Sequence, residues 1–194
     1  MNNVPRRTVA RFISIVGHPI VLLPVAALIA ASTRGASLQQ LQLIGSASVT
    51  FGAIVLGFSW LQVRAGRWSH IDASDRHERS SLNVFLGALC LLGAGLAWVL
   101  TRRPNLPIAL ALSGGLFVIA LTIARWVKLS LHAAFGAFAT ALLWPNKLAV
   151  VAGVMVTAAV VWSRLVLGRH EAADVAVGLL LGAAAGSAYH AWFV

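Results

Sequence analysis

The sequence is short of charge. Only 10% of its 194 residues are Asp, Glu, Lys or Arg, against about 25% in an ordinary soluble domain, and just 5 are acidic. With 59% of residues apolar and a mean hydropathy of +0.86, a soluble fold of this length has too little interior to hide them. Lipid must be the solvent for much of the chain. Cysteine is nearly absent as well. Cys90 stands alone inside an apolar run, which excludes a disulfide framework and a thiolate metal site and sets redox chemistry aside. No Ser- or Pro-rich linker and no internal repeat interrupts the sequence, so a single integral membrane domain over 1–194 is expected. Positive charge is what the chain does have, with 15 Lys+Arg and a net charge of +10. Those cations fall between apolar runs rather than along a polar face, which points to membrane lipids or an anionic substrate as partners and away from nucleic acid.

Seven apolar runs are apparent: Phe12 to Ala31, Leu43 to Leu61, Leu82 to Leu100, Leu106 to Ala124, Leu131 to Trp144, Leu148 to Trp162 and Val175 to Tyr189. A spanning helix needs about 20 residues, so the fifth and sixth runs must borrow from their polar ends, and an all-α, polytopic bundle of six or seven transmembrane spans is predicted. Trp144-Pro145-Asn146-Lys147 marks a tight turn and an antiparallel pair. The first run follows Arg6, Arg7 and Arg11 as a signal peptide would, but it exceeds the roughly 7 to 15 residues of a signal h-region and is read as an uncleaved span. In the last run Gly178, Gly182 and Gly186 recur every four residues and lay a smooth strip along one face for a close neighbour.

The polar residues are more informative by position than by number. All five acids, Asp72, Asp75, Glu78, Glu171 and Asp174, fall in two connectors, and a seven-span count puts both on one side with a third that holds Arg125, Lys128, Ser130 and His132. Ionisable groups gathered at the ends of spans mark a functional site. In the segment Ser163-Arg164 to Asp174, a last helix starting near Arg169 would put His170 and Asp174 on one face. The carboxylate could then fix one imidazole nitrogen and leave the other to attack, although the same pair also serves as a plain structural hydrogen bond. Arg164, across a turn at Gly168, offers a planar fork for phosphate oxygens. Lys128 to His132 opens the fifth run, where a helix N-terminus presents N–H groups to an anion and His132 could protonate a leaving oxygen. In the connector 72–79, Arg76 and Arg79 are three apart and can point the same way, whereas His77 and Glu78 read as part of a solvated, self-paired cluster. His18, His70 and His190 have no argued partner and are expected to lie outside the site.

Together these segments resemble the type 2 phosphatidic acid phosphatase family of membrane enzymes, over roughly residues 72–190. The family's third motif, Ser-Arg, five residues, His, three residues, Asp, is matched in full by Ser163, Arg164, His170 and Asp174. Its second, Pro-Ser-Gly-His, is matched at Ser130 and His132, with Leu129 and Leu131 in the other places. Its first, Lys, six residues, Arg-Pro, is matched at Arg79 alone; Asp72 stands at the lysine position and Ser80 at the proline, and Arg76 or Lys128 would supply the missing cation. The resemblance implies a metal-independent, cofactor-free hydrolase of lipid metabolism that cleaves a phosphomonoester or diphosphate through a phosphohistidine. It implies His170 as nucleophile, Asp174 as its orienter, His132 as general acid, and Ser130, Arg164 and Arg79 as phosphate ligands.

A lipid-linked phosphate is the expected substrate: phosphatidate-like, polyprenyl phosphate or polyprenyl-phosphosugar phosphate. Small soluble phosphates and a homo-oligomeric state stay open. Two other classes compete. In a prenyltransferase-like enzyme Asp72 and Asp75 would hold magnesium, and in a lipid-binding or transport protein the basic pocket would bind anions without turnover. The side carrying the N-terminus and the candidate site has 11 of the 15 Lys+Arg, and still seven once Arg76, Arg79, Lys128 and Arg164 are set aside, against four opposite. The positive-inside rule therefore predicts a site at the cytoplasmic face of the cell membrane.

Overall fold

The computed structural model describes residues 4–70, 75–101 and 104–192. It is all-helical among these: α1 (Val4–Val16), α2 (Pro19–Thr33), α3 (Leu38–Arg64), α4 (Arg76–Thr101), α5 (Asn105–Thr122), α6 (Leu131–Leu142), α7 (Lys147–Val166) and α8 (Ala172–Ala191). Five described helices, those at α3, α4, α5, α7 and α8, are long and apolar enough to cross a membrane, and the pair α1 and α2 makes a sixth if counted as one span. The chain is therefore a multi-pass membrane protein. The first apolar run is broken where Gly17 and His18 interrupt it and Pro19 starts a new helix, with a bend of 53°. The fifth run yields a helix of only 12 residues, about 18 Å of rise, well short of a hydrocarbon core of about 30 Å.

Contacts divide the chain into two compact units, Met1–Ile44 with Ile123–Val194, and Gly45–Thr122. In the second unit α4 and α5 pack together, Gly87 of α4 lying against Phe117, and Phe58 of α3 stacks on Phe85 of α4 at 3.9 Å between ring centroids. Glu78 is buried rather than solvated, which corrects the reading of that cluster. Its carboxylate accepts from the backbone N–H groups of Ser69 (2.6 Å) and Asp75 (3.2 Å), so it organises the start of α4.

The first unit is built around α6, the shortest apolar helix. Ala133, Ala134, Phe135 and Phe138 are at most 1% exposed, and α2, α7 and α8 all pack on it. The glycine strip on α8 is what admits the closest of these neighbours. A Cβ at Gly178 would meet the Ser130 carbonyl at 2.6 Å, one at Gly182 would run into the Ala134 backbone, and one at Gly186 into the Ala141 side chain.

Helix directions follow from the ties at each end. Ser130 N–H donates to the Asp174 carbonyl (3.2 Å) at one end of α6, and His190 Nε2 donates to the Ala141 carbonyl (2.8 Å) near the other, so α8 runs parallel to α6. α2 starts beside His132 and ends where Arg34 Nη2 donates to the carbonyls of Leu142 (3.2 Å) and Trp144 (2.6 Å), so it is parallel too. α7 returns antiparallel after Trp144–Pro145, its N-terminus capped by Asn146 accepting from Ala149 N–H at 3.0 Å. One end of this unit thus gathers the N-termini of α2, α6 and α8 and the C-terminus of α7.

Candidate functional site

That end carries most of the residues singled out by the sequence. α7 stops in a paired C-terminal turn. Gly168 takes φ +63°, its N–H donates to the Leu165 carbonyl (3.0 Å), and Arg169 N–H donates to the Arg164 carbonyl (3.0 Å). The reversal delivers His170 to the start of α8. α8 begins at Ala172, with Glu171 as its N-cap, because the Asp174 carboxylate reaches back to accept from Glu171 N–H at 3.1 Å. His170 therefore precedes the helix rather than sharing a face with Asp174, a correction to the expected start near Arg169. The two are still close, with Nδ1 of His170 3.5 Å from Oδ2 of Asp174.

The nearer partner of that nitrogen is a backbone group the sequence did not suggest. Nδ1 of His170 lies 3.0 Å from the Lys128 carbonyl oxygen, which can only accept, so Nδ1 carries the proton. Nε2 of the neutral ring is then left with its lone pair. Burial and the Arg164 guanidinium both push the pKa of His170 below its ordinary value, while the Lys128 carbonyl and Asp174 pull the other way. Lys128 itself directs Nζ to the Arg169 carbonyl at 2.8 Å. Its ammonium braces the turn that presents His170, a job other than the direct phosphate contact expected of it. Three hydrogen bonds thus lace the connector before α6 to the start of α8 and the connector that precedes it: Lys128 Nζ to Arg169, His170 to Lys128, and Ser130 N–H to Asp174.

Ser130 is the N-cap residue of α6, yet its hydroxyl makes no capping bond. It is completely buried, and its Oγ has no hydrogen-bond partner among the described residues, which is costly unless something else supplies one. His132, in the first turn of α6, lies within electrostatic range of Arg164, His18 and His170. Arg164 occupies the last turn of α7, where a cation complements the helix dipole, and its Nη1 donates to Ser14 Oγ at 2.8 Å. Ser163, the other half of the Ser-Arg pair, is fully buried and bonds back to the Val160 carbonyl at 2.6 Å, a helix-internal role.

The break between α1 and α2 also reaches this cluster, against expectation. The His18 ring meets that of His132 edge to face, with centroids 5.0 Å apart and planes at 90°, and Ser14 is the buried partner of Arg164. The available signal was the Gly17-His18-Pro19 interruption of an otherwise apolar run. The remaining candidates belong to the other compact unit. Arg76 opens α4, Arg79 follows in its first turn with its N–H bonded to the Asp75 carbonyl (2.9 Å), and Asp75 is exposed. Asp72 lies outside the described residues. Among the described residues no group of three His, Cys, Asp or Glu side chains comes together at metal-binding range. Comparison of the chain with protein-family models, curated proteins and solved structures finds no match.

Proposed function

We propose that this protein is a membrane-embedded phosphatase that hydrolyses a lipid-linked phosphomonoester or diphosphate through a phosphohistidine on His170. The observation that carries the reading is the setting of the His170 ring. Its Nδ1 proton is committed to the Lys128 carbonyl with Asp174 close by, and its Nε2 is free to attack. Around it stand groups suited to a phosphoryl oxyanion: Arg164, the buried Ser130 hydroxyl and the converging N-termini of three helices. Phosphoryl transfer asks a protein mainly for positioning and charge neutralisation, and this cluster offers both.

In the first step Nε2 of His170 bonds to phosphorus, the bond from phosphorus to the ester or anhydride oxygen breaks, and His132 gives a proton to the departing oxygen. Burial, and after it the positive field of Arg164 and the neighbouring imidazoles, disfavours a proton on His132; the negative charge of the entering phosphate opposes this and lets His132 hold that proton in the complex. In the second step His132 takes a proton from water, the water oxygen bonds to phosphorus, and the P–N bond breaks to free His170 and inorganic phosphate. On the resemblance of the first motif, Arg79 and Arg76 are proposed as further phosphate ligands. A site at the end of apolar helices suits a substrate whose headgroup stays at the interface while its tail lies in lipid. The excess of Lys and Arg expected on the side of the site supports an orientation towards the cytoplasmic face of the cell membrane.

The test is phosphate release from lipid phosphates and polyprenyl diphosphates in detergent with EDTA, comparing wild type and His170→Ala, with trapping of an acid-labile phosphoenzyme. Release that survives EDTA and disappears with His170 supports the proposal. Release that requires magnesium points to the prenyltransferase-like alternative, and phosphate binding without release points to an anion-binding or transport role.

A further inference from the structure

The α1–α2 break puts a third imidazole beside His132, and its hydrogen bonding fixes what that imidazole can offer. His18 is the N-cap of α2, and its Nδ1 accepts from Ile20 N–H at 3.2 Å. An accepting Nδ1 has no proton, so in the neutral ring the proton sits on Nε2 and that nitrogen is a donor. This is the opposite tautomer to that of His170, whose Nδ1 donates to a carbonyl. The break is also held firmly against the site. Ser14 bonds Arg164 at 2.8 Å, Ala10 and Ser14 are buried against α7, and a Cβ on Gly17 would collide with the side chain of the fully buried Val160.

We infer that His18 is a ligand of the same anion site, donating a hydrogen bond from Nε2–H to a phosphoryl oxygen held between His132, Arg164 and His170. This rests on the reading of the cluster as a phosphate site and adds to it a residue from the break between α1 and α2. The geometry behind it is the perpendicular contact of the His18 and His132 rings at 5.0 Å, with Arg164 bridging from α7 to the end of α1 through Ser14. A neutral imidazole suits the position, because it adds a directional donor next to Arg164 without adding a second fixed cation.

The experiment is calorimetric titration of the detergent-solubilised full chain with inorganic phosphate and with orthovanadate, for wild type, His18→Asn and His18→Ala. Asparagine keeps a capping oxygen for α2 but removes the Nε2 donor. Phosphate affinity is expected to fall roughly 3- to 10-fold in both variants, the worth of one hydrogen bond, with the melting temperature lowered only in His18→Ala. Unchanged affinity in His18→Asn overturns the inference. Should either variant fail to fold, sequence-assigned 15N spectra of the wild-type histidines decide: His18 should show the Nε2–H tautomer and shift on addition of phosphate, and a His18 signal that does not move overturns the assignment. Parallel assays with His170→Ala separate the two readings. Phosphate binding that depends on His18 in a protein with no turnover would sink the phosphatase and keep this ligand, whereas turnover lost with His170 and phosphate affinity indifferent to His18 would do the reverse.

Discussion

His18 and His170 stand at equivalent places, each just outside the N-terminus of a helix, and the backbone holds them by different means. His18 is fixed locally, by an N–H two residues further on in the same helix. His170 is fixed at a distance, by the carbonyl of Lys128 forty-two residues earlier, across the packed pair α6 and α8. One ring is therefore set by secondary structure, as the donor we infer, and the other by tertiary structure, as the nucleophile we propose. The difference teaches that the proposed nucleophile is the ring whose setting is most exposed to errors of packing.

The largest expected effect comes from removing the proposed nucleophile. His170→Ala should lower phosphate release by on the order of 1000-fold or more, measured under single-turnover conditions, while leaving the His18 cap untouched. Next is a change remote from every reacting atom. Gly182→Val drives a side chain into the Ala134 backbone, so it should cost about 1–3 kcal/mol of stability and, by separating His170 from Lys128, lower turnover roughly 100-fold. Thermal melts together with the 15N tautomer of His170 check this; a proton remaining on Nδ1 in that variant would break the comparison.

A smaller and directional effect is expected from pH. In the proposed reaction His170 attacks in its neutral form, and burial together with Arg164 keeps it neutral below the ordinary histidine value. Activity should accordingly persist below about pH 6.5 and fade only as pH drops through the lowered value. Because the unfolded chain takes up that proton sooner, this histidine's contribution to stability is complete above about pH 6.5 and falls below it. Arg164→Gln should move the acid limb of the pH–rate profile towards higher pH, by removing a charge that opposes protonation, and a limb that moves the other way would contradict the assignment. The smallest effect belongs to the far end of the same unit. Asn146→Ala removes the cap of α7 and should cost about 1 kcal/mol in the melting transition with the phosphate affinity unchanged.

Much of this was legible in the sequence where the signal is local. The apolar runs gave helices, the Trp144-Pro145-Asn146 turn gave an antiparallel pair, and the four-residue glycine spacing of α8 found its close neighbour in α6. Ser163-Arg164 and His170 with Asp174 were readable as a motif, and the structure does bring Arg164, His170 and Asp174 to one end with Ser130 and His132. What was not legible depends on chain-distant partners. Ser14 meets Arg164 across 150 residues, Lys128 spends its ammonium on a carbonyl, and Glu78 is buried by two backbone donors that no spacing rule marks. The start of α8 was misplaced by three residues because the Asp174 side chain, read for its chemistry, also closes the helix cap.

The glycine strip has a consequence beyond close packing. Its four-residue repeat matches about one turn of helix, so sliding α8 by a turn along α6 would bring two of the three glycines opposite places that their neighbours had fitted. Such a slip moves α8 by about 5.4 Å, enough to carry His170 away from the carbonyl that sets its tautomer. The slipped alignment puts Asp174 or His190, according to its direction, where the structure holds a glycine, so the glycine spacing and the bond from Ser130 N–H to the Asp174 carbonyl together select the observed one. The strip works as a vernier whose zero is set at the site.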